Sequence, residues 1–539
     1  MGGVAAMSVA MLAAVQSLRP GQGASPLLRA PGAWAVRARR PPVRAADAAV
    51  GAATPAAAGA APAEYDWRAQ WYAVCFEENL PEGAEPLAFA AFGYGLALWR
   101  DGSGTLRAVA DRCPHRLAKL SEGRVRNGAL ECLYHGWAFE GGSGKCVSIP
   151  QLEEGAAIPS RACVAPYAVT VREGIVFVWL TPGETDLASL PPPPASEDDL
   201  DADKSFSVYS FQIDVPYEAS FLVENLLDPA HIPVSHDRTP GGGKRENAQP
   251  LEMEVYDGSV DRTGFRGRYR NTRASSGGAT RAPPGWIDVR FAAPGVIYQR
   301  NAGGPIRFGA ALHCMPLGAS RSRLLFRTYF KGLPRAARLL LALKPLWLRH
   351  LNSCKILEQD AGLIASQEDA LAASAHGAST GSQYLPLRSA DVFVVAHRKW
   401  LDLVGASGAG GMPWAVGWDA PAADALHAAS PLAARATLAP SLAPAHRAIA
   451  EDRYSRHVRH CRATRDALAR VRALKRALFA LGGAAALAAA ALNPAGGSLR
   501  AAVGAALALG CALGLRRLER LFFRPFERRE QLRLRERPY

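Results

Sequence analysis

No Asp or Glu occurs before Asp47, and the residues ahead of it are rich in Ala, Arg and small side chains without a long apolar core. That composition fits an organelle transit peptide better than a secretory signal. A disulfide framework is also missing. The nine cysteines are scattered without the spacing of secreted scaffolds, so they point to a reducing compartment and to metal ligation. Strong basicity is absent from the body of the chain. The formal charge is +15, but residues 1–62 hold six Arg against one Asp and residues 516–539 nine Arg against four Glu, which leaves +5 for the 453 residues between. Charge confined to the two ends argues against nucleic-acid binding and for targeting and membrane-surface roles. Near the C-terminus, the apolar blocks at 477–492 and 501–515 are each shorter than the roughly 20 residues that cross a bilayer.

A low-complexity linker, "AAVGAATPAAAGAAPA" (48–63), precedes the first patterned sequence. From "EYDWRAQWYAVCF" (64–76) to about residue 183, runs such as "LAFAAFGYGLALWR" and "YAVTVREGIVFVWL" alternate with Gly-containing turns. This is the pattern of a small, mostly antiparallel β domain. Beyond the Pro-rich, acidic boundary "PPPPASEDDLDAD", residues 205–400 mix strand-like stretches ("GWIDVRFAAPGVIYQR", "SRLLFRTYFKGL") with a helix over 335–371 broken at Pro345. A Gly/Ala/Pro-rich stretch at 405–445 reads as a loop insertion, and a charged helical segment follows. Lys475/Arg476 and Arg516/Arg517/Arg520 flank the two apolar blocks on what would be one side of a membrane hairpin, with a soluble helical pair as the competing reading. The expected organisation is a transit peptide and linker (1–62), a β domain (63–185), an α+β domain (186–402), a loop with a charged helix (403–475), a transmembrane hairpin (476–515) and a basic tail (516–539).

The stretch "CPHRLAKLSEGRVRNGALECLYHGW" (113–137) carries Cys113-x-His115 and Cys132-x-x-His135. Zinc would take two thiolates and two imidazoles tetrahedrally. A Rieske [2Fe–2S] cluster puts both cysteines on one iron and both histidines on the other. Each pair lies between strand-like runs, as two hairpin tips clasping a cluster would, with Pro114 stiffening the first loop and Gly136-Trp137 allowing a turn with an aromatic lid. Autonomous zinc modules are small and Lys-rich, whereas this segment is embedded in a long β domain, so the Rieske reading is preferred.

A cluster that only carries electrons needs an acceptor. "ENLLDPAHIPVSHDRTPG" offers Asn225-x-x-Asp228-x-x-His231 and, beyond Pro233, His236. Two imidazoles and a carboxylate form the facial triad of non-haem Fe(II) oxygenases. The carboxylate candidate is Asp360 in "KILEQDAGLIASQE", on the expected long helix, with Glu358 and Glu368 as competitors.

With these residues in view, the chain resembles the Rieske non-haem iron oxygenases, and within them the chloroplast branch that includes pheophorbide a oxygenase, chlorophyllide a oxygenase and translocon-associated Rieske proteins. The resemblance rests on "WRAQWYAV", "CPHRLAKLSEGR", "LECLYHGWAFEGGSGKCVSIPQ", "ENLLDPAHIPVSH" and "ILEQD", and covers roughly residues 64–402. It implies an α+β architecture: a mostly antiparallel β Rieske domain, a helix-grip (START-like) catalytic domain and a C-terminal α-helical membrane hairpin. It further implies a mononuclear Fe(II) on His231, His236 and Asp360, a [2Fe–2S] cluster on Cys113, His115, Cys132 and His135, and catalytic roles for Asn225 and Asp228. Asp228 would bridge the cluster of one subunit and the iron of its neighbour in a homotrimer.

Function follows as an expectation from the same resemblance: a chloroplast inner-envelope or thylakoid monooxygenase that uses ferredoxin electrons and O₂ on a chlorophyll-derived tetrapyrrole. Ring opening of pheophorbide a is the leading reading. The alternatives are side-chain or methyl hydroxylation of protochlorophyllide, chlorophyllide or a phyllobilin, and an electron-carrying or redox-sensing envelope subunit. No nucleic acid is expected as a partner. One departure stands out. Several members of the branch carry a C-terminal Cys-x-x-Cys, but "RHCRATRD" has Cys461 followed by Thr464, which puts thiol–disulfide control through that pair in doubt.

Overall fold

The structure is a computed structural model that describes residues 65–524, apart from 197, 199, 240–241, 257–259, 274–284, 302, 319, 374–382, 405–451 and 492–496. The expected transit segment, the loop insertion and most of the basic tail lie outside the described residues.

Strands β1 (Trp71–Phe76), β2 (Leu87–Ala91), β3 (Tyr94–Arg100) and β4 (Leu106–Ala110) lead into four short strands, β5 (Arg124–Arg126), β6 (Ala129–Glu131), β7 (Ala138–Phe139) and β8 (Cys146–Ser148). The chain returns through β9 (Pro166–Arg172) and β10 (Ile175–Pro182). The six longer strands form one antiparallel sheet in the order β1-β10-β9-β4-β3-β2, and β5 to β8 form a second sheet. Strand alternation decides what each face buries. On β3, Leu96 and Leu98 enter the main core, while Ala97 and Trp99 point the other way into a small cluster with Leu120, Leu130, Phe139, Cys113 and Cys132. The two metal-type cysteines are thus rooted in a core of their own.

The second part is built on seven antiparallel strands: β11 (Ser207–Val215), β12 (Leu251–Val255), β13 (Gly264–Asn271), β14 (Ile287–Ala292), β15 (Val296–Asn301), β16 (Arg307–Gly318) and β17 (Arg321–Lys331). Their order is β11-β17-β16-β15-β14-β13-β12. Helices α1 (Ala219–Leu227) and α2 (Ile232–Ser235) interrupt the chain between β11 and β12, and α3 (Arg335–Leu343), α4 (Leu346–Ala373) and α5 (Val392–Leu403) follow β17. The expected break at Pro345 separates α3 from α4, because proline clashes with the preceding turn and lacks an N–H. Cys354, Leu357, Ala361 and Ile364 of α4 recur at spacings of three and four and join the core of the sheet. The two sheets share that core. Arg323 is fully engaged between them, pairing with Asp214 at 2.6 Å and donating to the Val74 carbonyl at 3.0 Å.

The C-terminal part comprises α6 (Arg453–Arg456), α7 (Arg462–Ala491) and α8 (Gly497–Arg520). Arg453 anchors it, meeting both oxygens of Glu358 on α4 at 2.8 and 2.5 Å. Helices α7 and α8 run antiparallel: Glu519 pairs with Arg472 and Lys475, and Gly482 lies against Ala505 and Ala508. The expectation of a two-helix membrane hairpin is corrected in part. The helical pair is present, but among the described residues only Ala501–Arg520 is long and apolar enough to cross a membrane. Charged residues occupy the first half of α7, which runs unbroken through the boundary expected at 475/476 because no Pro interrupts it.

Candidate metal centres

The first centre lies on two loops of the small sheet, one after β4 and one between β6 and β7. They share a backbone pattern. The Cys113 N–H donates to the Ala118 carbonyl and the Cys113 carbonyl accepts from Leu117; the Cys132 N–H donates to Trp137 and its carbonyl accepts from Gly136, all at 2.8 or 2.9 Å. Each loop places its fifth residue in the left-handed region, Leu117 at φ 62° and Gly136 at φ 75°. Glycine is required at the second position: a Cβ on Gly136 would stand 2.9 Å from Cγ of Pro150. The first loop is tied at its base by Asp111, which accepts from both the N–H and the hydroxyl of Ser121 at 2.6 Å.

These loops segregate the donors by type. Cys113 and Cys132 are buried within hydrogen-bond reach of each other, and burial, with Cys132 alongside, pushes the Cys113 thiol up to about 11. His115 and His135 lie on the outer side with ring centroids 4.4 Å apart, and Trp137 stacks on His115 at 4.7 Å with 3° between the planes. Nδ1 of His135 is buried without a partner, while its carbonyl accepts from Gln151 at 2.8 Å. Two sulfurs inside and two nitrogens outside suit a diiron cluster whose irons take unlike ligands. The residues therefore fit a Rieske group.

The second centre forms where α1 ends and α4 passes. Asp228 terminates α1; one of its oxygens accepts from the Ala230 N–H at 2.7 Å, and this sharp turn brings His231 back toward α4. His231 Nε2 is 3.9 Å, and His236 Nε2 3.2 Å, from Asp360 Oδ2. Two nitrogens and one carboxylate oxygen from these residues all lie within 4.8 Å of one another. Asp360 and His236 are buried, at 2% and 0% side-chain exposure. His236 Nε2 and Asp360 Oδ2 have no hydrogen-bond partner of good geometry despite their proximity. Converging, buried, unsatisfied donors are costly unless a cation takes them. The set fits a mononuclear iron with three protein ligands.

Each histidine is oriented from behind. Asp228 Oδ2 stands 3.3 Å from His231 Nδ1. Burial opposes protonation of His231, yet Asp228 and Asp360 together raise its pKa. For Asp360, burial raises the pKa but His236 and His231 outweigh it, so the carboxylate is held ionised. Behind His236 stands a residue that sequence reasoning missed. Gln359 Oε1 accepts from His236 Nδ1 at 2.9 Å, and Gln359 Nε2 donates to the Thr239 hydroxyl at 2.8 Å. That relay sets the tautomer, leaving the Nε2 lone pair free. The only hint in the sequence was that Gln359 adjoins Asp360. Of the competing carboxylates, Glu358 is taken by Arg453, and Glu368 accepts from the Glu218 N–H and the Ser320 hydroxyl. Asn225 Nδ2 lies 3.5 Å from His231 Nε2.

A cavity of about 630 Å³ opens on this centre. His231, Asp360, Asn225 and Asp228 form its polar end, and Leu363, Ile364, Leu385, Val394 and Val395 give it apolar walls. Arg398, which also faces the cavity, is paired with Glu224, while Lys399 at the rim is exposed. In the C-terminal part, Thr464 is buried and donates to the Cys461 carbonyl at 3.0 Å, so the position where several members of the branch carry a second cysteine serves here as a local helix-end contact.

Comparison with known proteins places these centres in context. Residues 70–168 match the family described as Rieske [2Fe-2S] domain, and residues 291–377 the family described as pheophorbide a oxygenase. The chain is 38% identical over 416 residues to protein TIC 55, chloroplastic, of Arabidopsis thaliana, covering 74% of this chain and 72% of that protein. It is 32% identical over 370 residues to the chloroplastic pheophorbide a oxygenase of the same plant, covering 63% and 64%. With the chloroplastic flavonoid 8-hydroxylase 2 of Ocimum basilicum the identity is 30% over 368 residues, covering 64% and 66%.

Proposed function

The chain belongs to the Rieske non-haem iron oxygenases, in the chloroplast branch that includes pheophorbide a oxygenase, and from that premise we propose that it hydroxylates a carbon of an amphipathic, chlorophyll-derived tetrapyrrole. The observation that carries this reading is the triad of His231, His236 and Asp360, buried at the end of an apolar-walled cavity. When bound, an iron there supplies O₂ activation and a [2Fe–2S] cluster supplies electrons one at a time. The overall balance is a substrate C–H, O₂, two electrons from ferredoxin and two protons, giving C–OH and water.

The chain's own residues divide the work. Cys113, Cys132, His115 and His135 would hold the cluster, and His231, His236 and Asp360 the iron. Asp228 and Gln359 hold the two iron-site imidazoles in ligating orientation. Leu363, Ile364, Leu385, Val394 and Val395 would face the macrocycle and exclude water, and Lys399 at the rim would receive a propionate. Asp228 keeps 25% side-chain exposure, so it can orient His231 and still face a docking subunit. His115 is exposed beside the exposed apolar side chains Leu117, Leu133 and Tyr134, which supports a homotrimer in which this edge meets the Asp228 side of a neighbour. The exposed helix Ala501–Arg520 supports membrane attachment.

Hydroxylation is preferred to ring opening for two reasons. The pheophorbide a oxygenase match ends at residue 377 and so covers β15 to β17 and α4 but not the cavity wall on α5. Identity is also higher to the TIC 55 protein than to pheophorbide a oxygenase, and a relative at 30% identity is named as a flavonoid hydroxylase. A second reading, an electron-carrying Rieske subunit, draws on the exposed His115/His135 edge, which a carrier needs equally.

Turnover by the purified chain with reduced ferredoxin under ¹⁸O₂ separates these readings, with protochlorophyllide, chlorophyllide a, pheophorbide a and a phyllobilin offered one at a time. The expected product carries one ¹⁸O on an otherwise intact tetrapyrrole skeleton. A ring-opened product from pheophorbide a overturns the hydroxylase reading. Four unchanged pigments with a cluster that still cycles between oxidation states leave the carrier.

A further inference from the structure

Remote from the iron centre, a third group of metal-type donors is buried where the C-terminal part meets the large sheet. His350 lies in the first turns of α4, His457 follows α6, and Cys461 immediately precedes α7. One nitrogen of each ring and the Cys461 sulfur all lie within 4.8 Å of one another, and His350 Nδ1 is 3.2 Å from the sulfur. All three residues are at most 2% exposed. Tyr209 and Phe211 pack on the His350 ring, and Phe211 stacks on His457 at 4.7 Å.

The hydrogen bonding leaves ligand positions free. His457 Nδ1 donates to the Gln212 carbonyl at 2.6 Å, so its lone pair is on Nε2, and that atom is buried without a partner. His350 turns Nδ1 toward the Cys461 sulfur, and a backbone hydrogen bond to Ser210 also acts on its ring. A metal-binding histidine typically donates its other N–H to a backbone carbonyl, and the Gln212 carbonyl has that place here. Tetrahedral zinc with Zn–N of about 2.0 Å and Zn–S of about 2.3 Å separates N and S by roughly 3.5 Å, so the observed 3.2 Å must widen by only about 0.3 Å.

We propose that His350, His457 and Cys461 form a buried three-residue site for a zinc-like divalent ion, which clamps the C-terminal helices to β11 and α4. Three protein donors converge here, and Cys354, one helical turn after His350, belongs to the hydrophobic core of the large sheet. The site is separate from the iron centre, since ten residues of helix, about 15 Å, lie between His350 and Asp360. Binding releases the Cys461 proton and forms metal–sulfur and metal–nitrogen bonds, with no redox change. Because α4 also carries Asp360, the clamp holds fixed the helix from which the iron carboxylate projects.

The test uses the full chain with its Rieske cluster loaded, as judged by electron paramagnetic resonance, grown with added zinc and dialysed against a weak chelator. Metal analysis is expected to find one zinc per chain beyond the iron, and X-ray absorption at the zinc edge to show a mixed nitrogen and sulfur shell. Cys461→Ala and, as a closer isostere, His457→Asn are expected to lose that zinc while keeping the cluster signal. A zinc-free wild-type chain overturns the proposal. So does a zinc shell of nitrogen and oxygen alone, which would place the ion at the iron triad, or full zinc retention in both variants.

Discussion

The two catalytic-type centres solve opposite problems with the same two tools, a tight turn and a histidine pair. The cluster loops place their cysteines in a small private core and leave His115 exposed and His135 half-buried at the surface. The iron centre is inverted: His236 and Asp360 are fully buried, while His231 and Asp228 keep side-chain exposures of 15% and 25%. The contrast follows from what each must meet. An electron-delivery edge has to approach another protein, so its nitrogens face outward. Under the proposed function an oxygen-activating site has to keep water away, and its donors lie buried at the end of an apolar-walled cavity.

Substitutions can break this division, and the largest effect is expected at the buried centre. Asp360→Ala should reduce oxygenation to the detection limit while the visible spectrum and reducibility of the cluster remain; loss of both signals together would mean that the two centres are not separable. Gln359→Ala leaves all three ligands in place but frees the His236 ring. Iron affinity should fall by roughly 10- to 100-fold, with the cluster unchanged, as read by iron titration and turnover. The mirror experiment is Gly136→Ala in the second cluster loop, where positive φ and the Pro150 ring oppose a Cβ. It should cost about 1–3 kcal/mol and reduce cluster loading without changing iron binding at the triad, measured by denaturation and by cluster absorbance.

A smaller effect is expected at the cavity rim. Lys399→Ala should raise KM for a carboxylate-bearing tetrapyrrole about 2- to 5-fold and leave the KM for its methyl ester unchanged, with kcat little altered. Outside both centres, a pH effect on stability is expected at the start of α1. Burial pushes Glu218 up to about 8, against the help of Ser220 and Arg398, so the folded state keeps a proton that the unfolded chain loses near its ordinary carboxyl pKa. The folded state then binds more protons between those two values, and stability falls as pH rises through that window. Glu218→Gln should raise stability at pH 8 by roughly 1–3 kcal/mol and have little effect near pH 4.5, a difference that thermal melts at the two pH values would read.

Short-range spacing made some of this visible in the sequence. Cys113-x-His115 and Cys132-x-x-His135 are adjacent donors on hairpin tips, and His231 and His236 lie within one broken helical stretch, so spacing alone suggested metal. Strand alternation and Pro345 similarly mark elements by local sterics, and the observed β3, β9, β10 and α4 follow them. The membrane hairpin was less legible, because alanine-rich helices are nearly as compatible with water as with lipid, and α7 carries its charges into the pair.

The residue sequence by itself determined the chemical inventory: two soft-ligand loops, a histidine pair, a long helix with several carboxylates and charge concentrated at the ends. Only the tertiary structure decided which carboxylate stands beside the histidines, that Gln359 sets the tautomer of His236, and that His350, His457 and Cys461 meet at all. The reason is the range of the interactions. Periodicity and turn chemistry act over a few residues, whereas a buried donor is committed by whatever the packing of distant elements leaves beside it. Glu358 lies two positions before Asp360 on the same helix, yet one meets an arginine and the other meets two imidazoles.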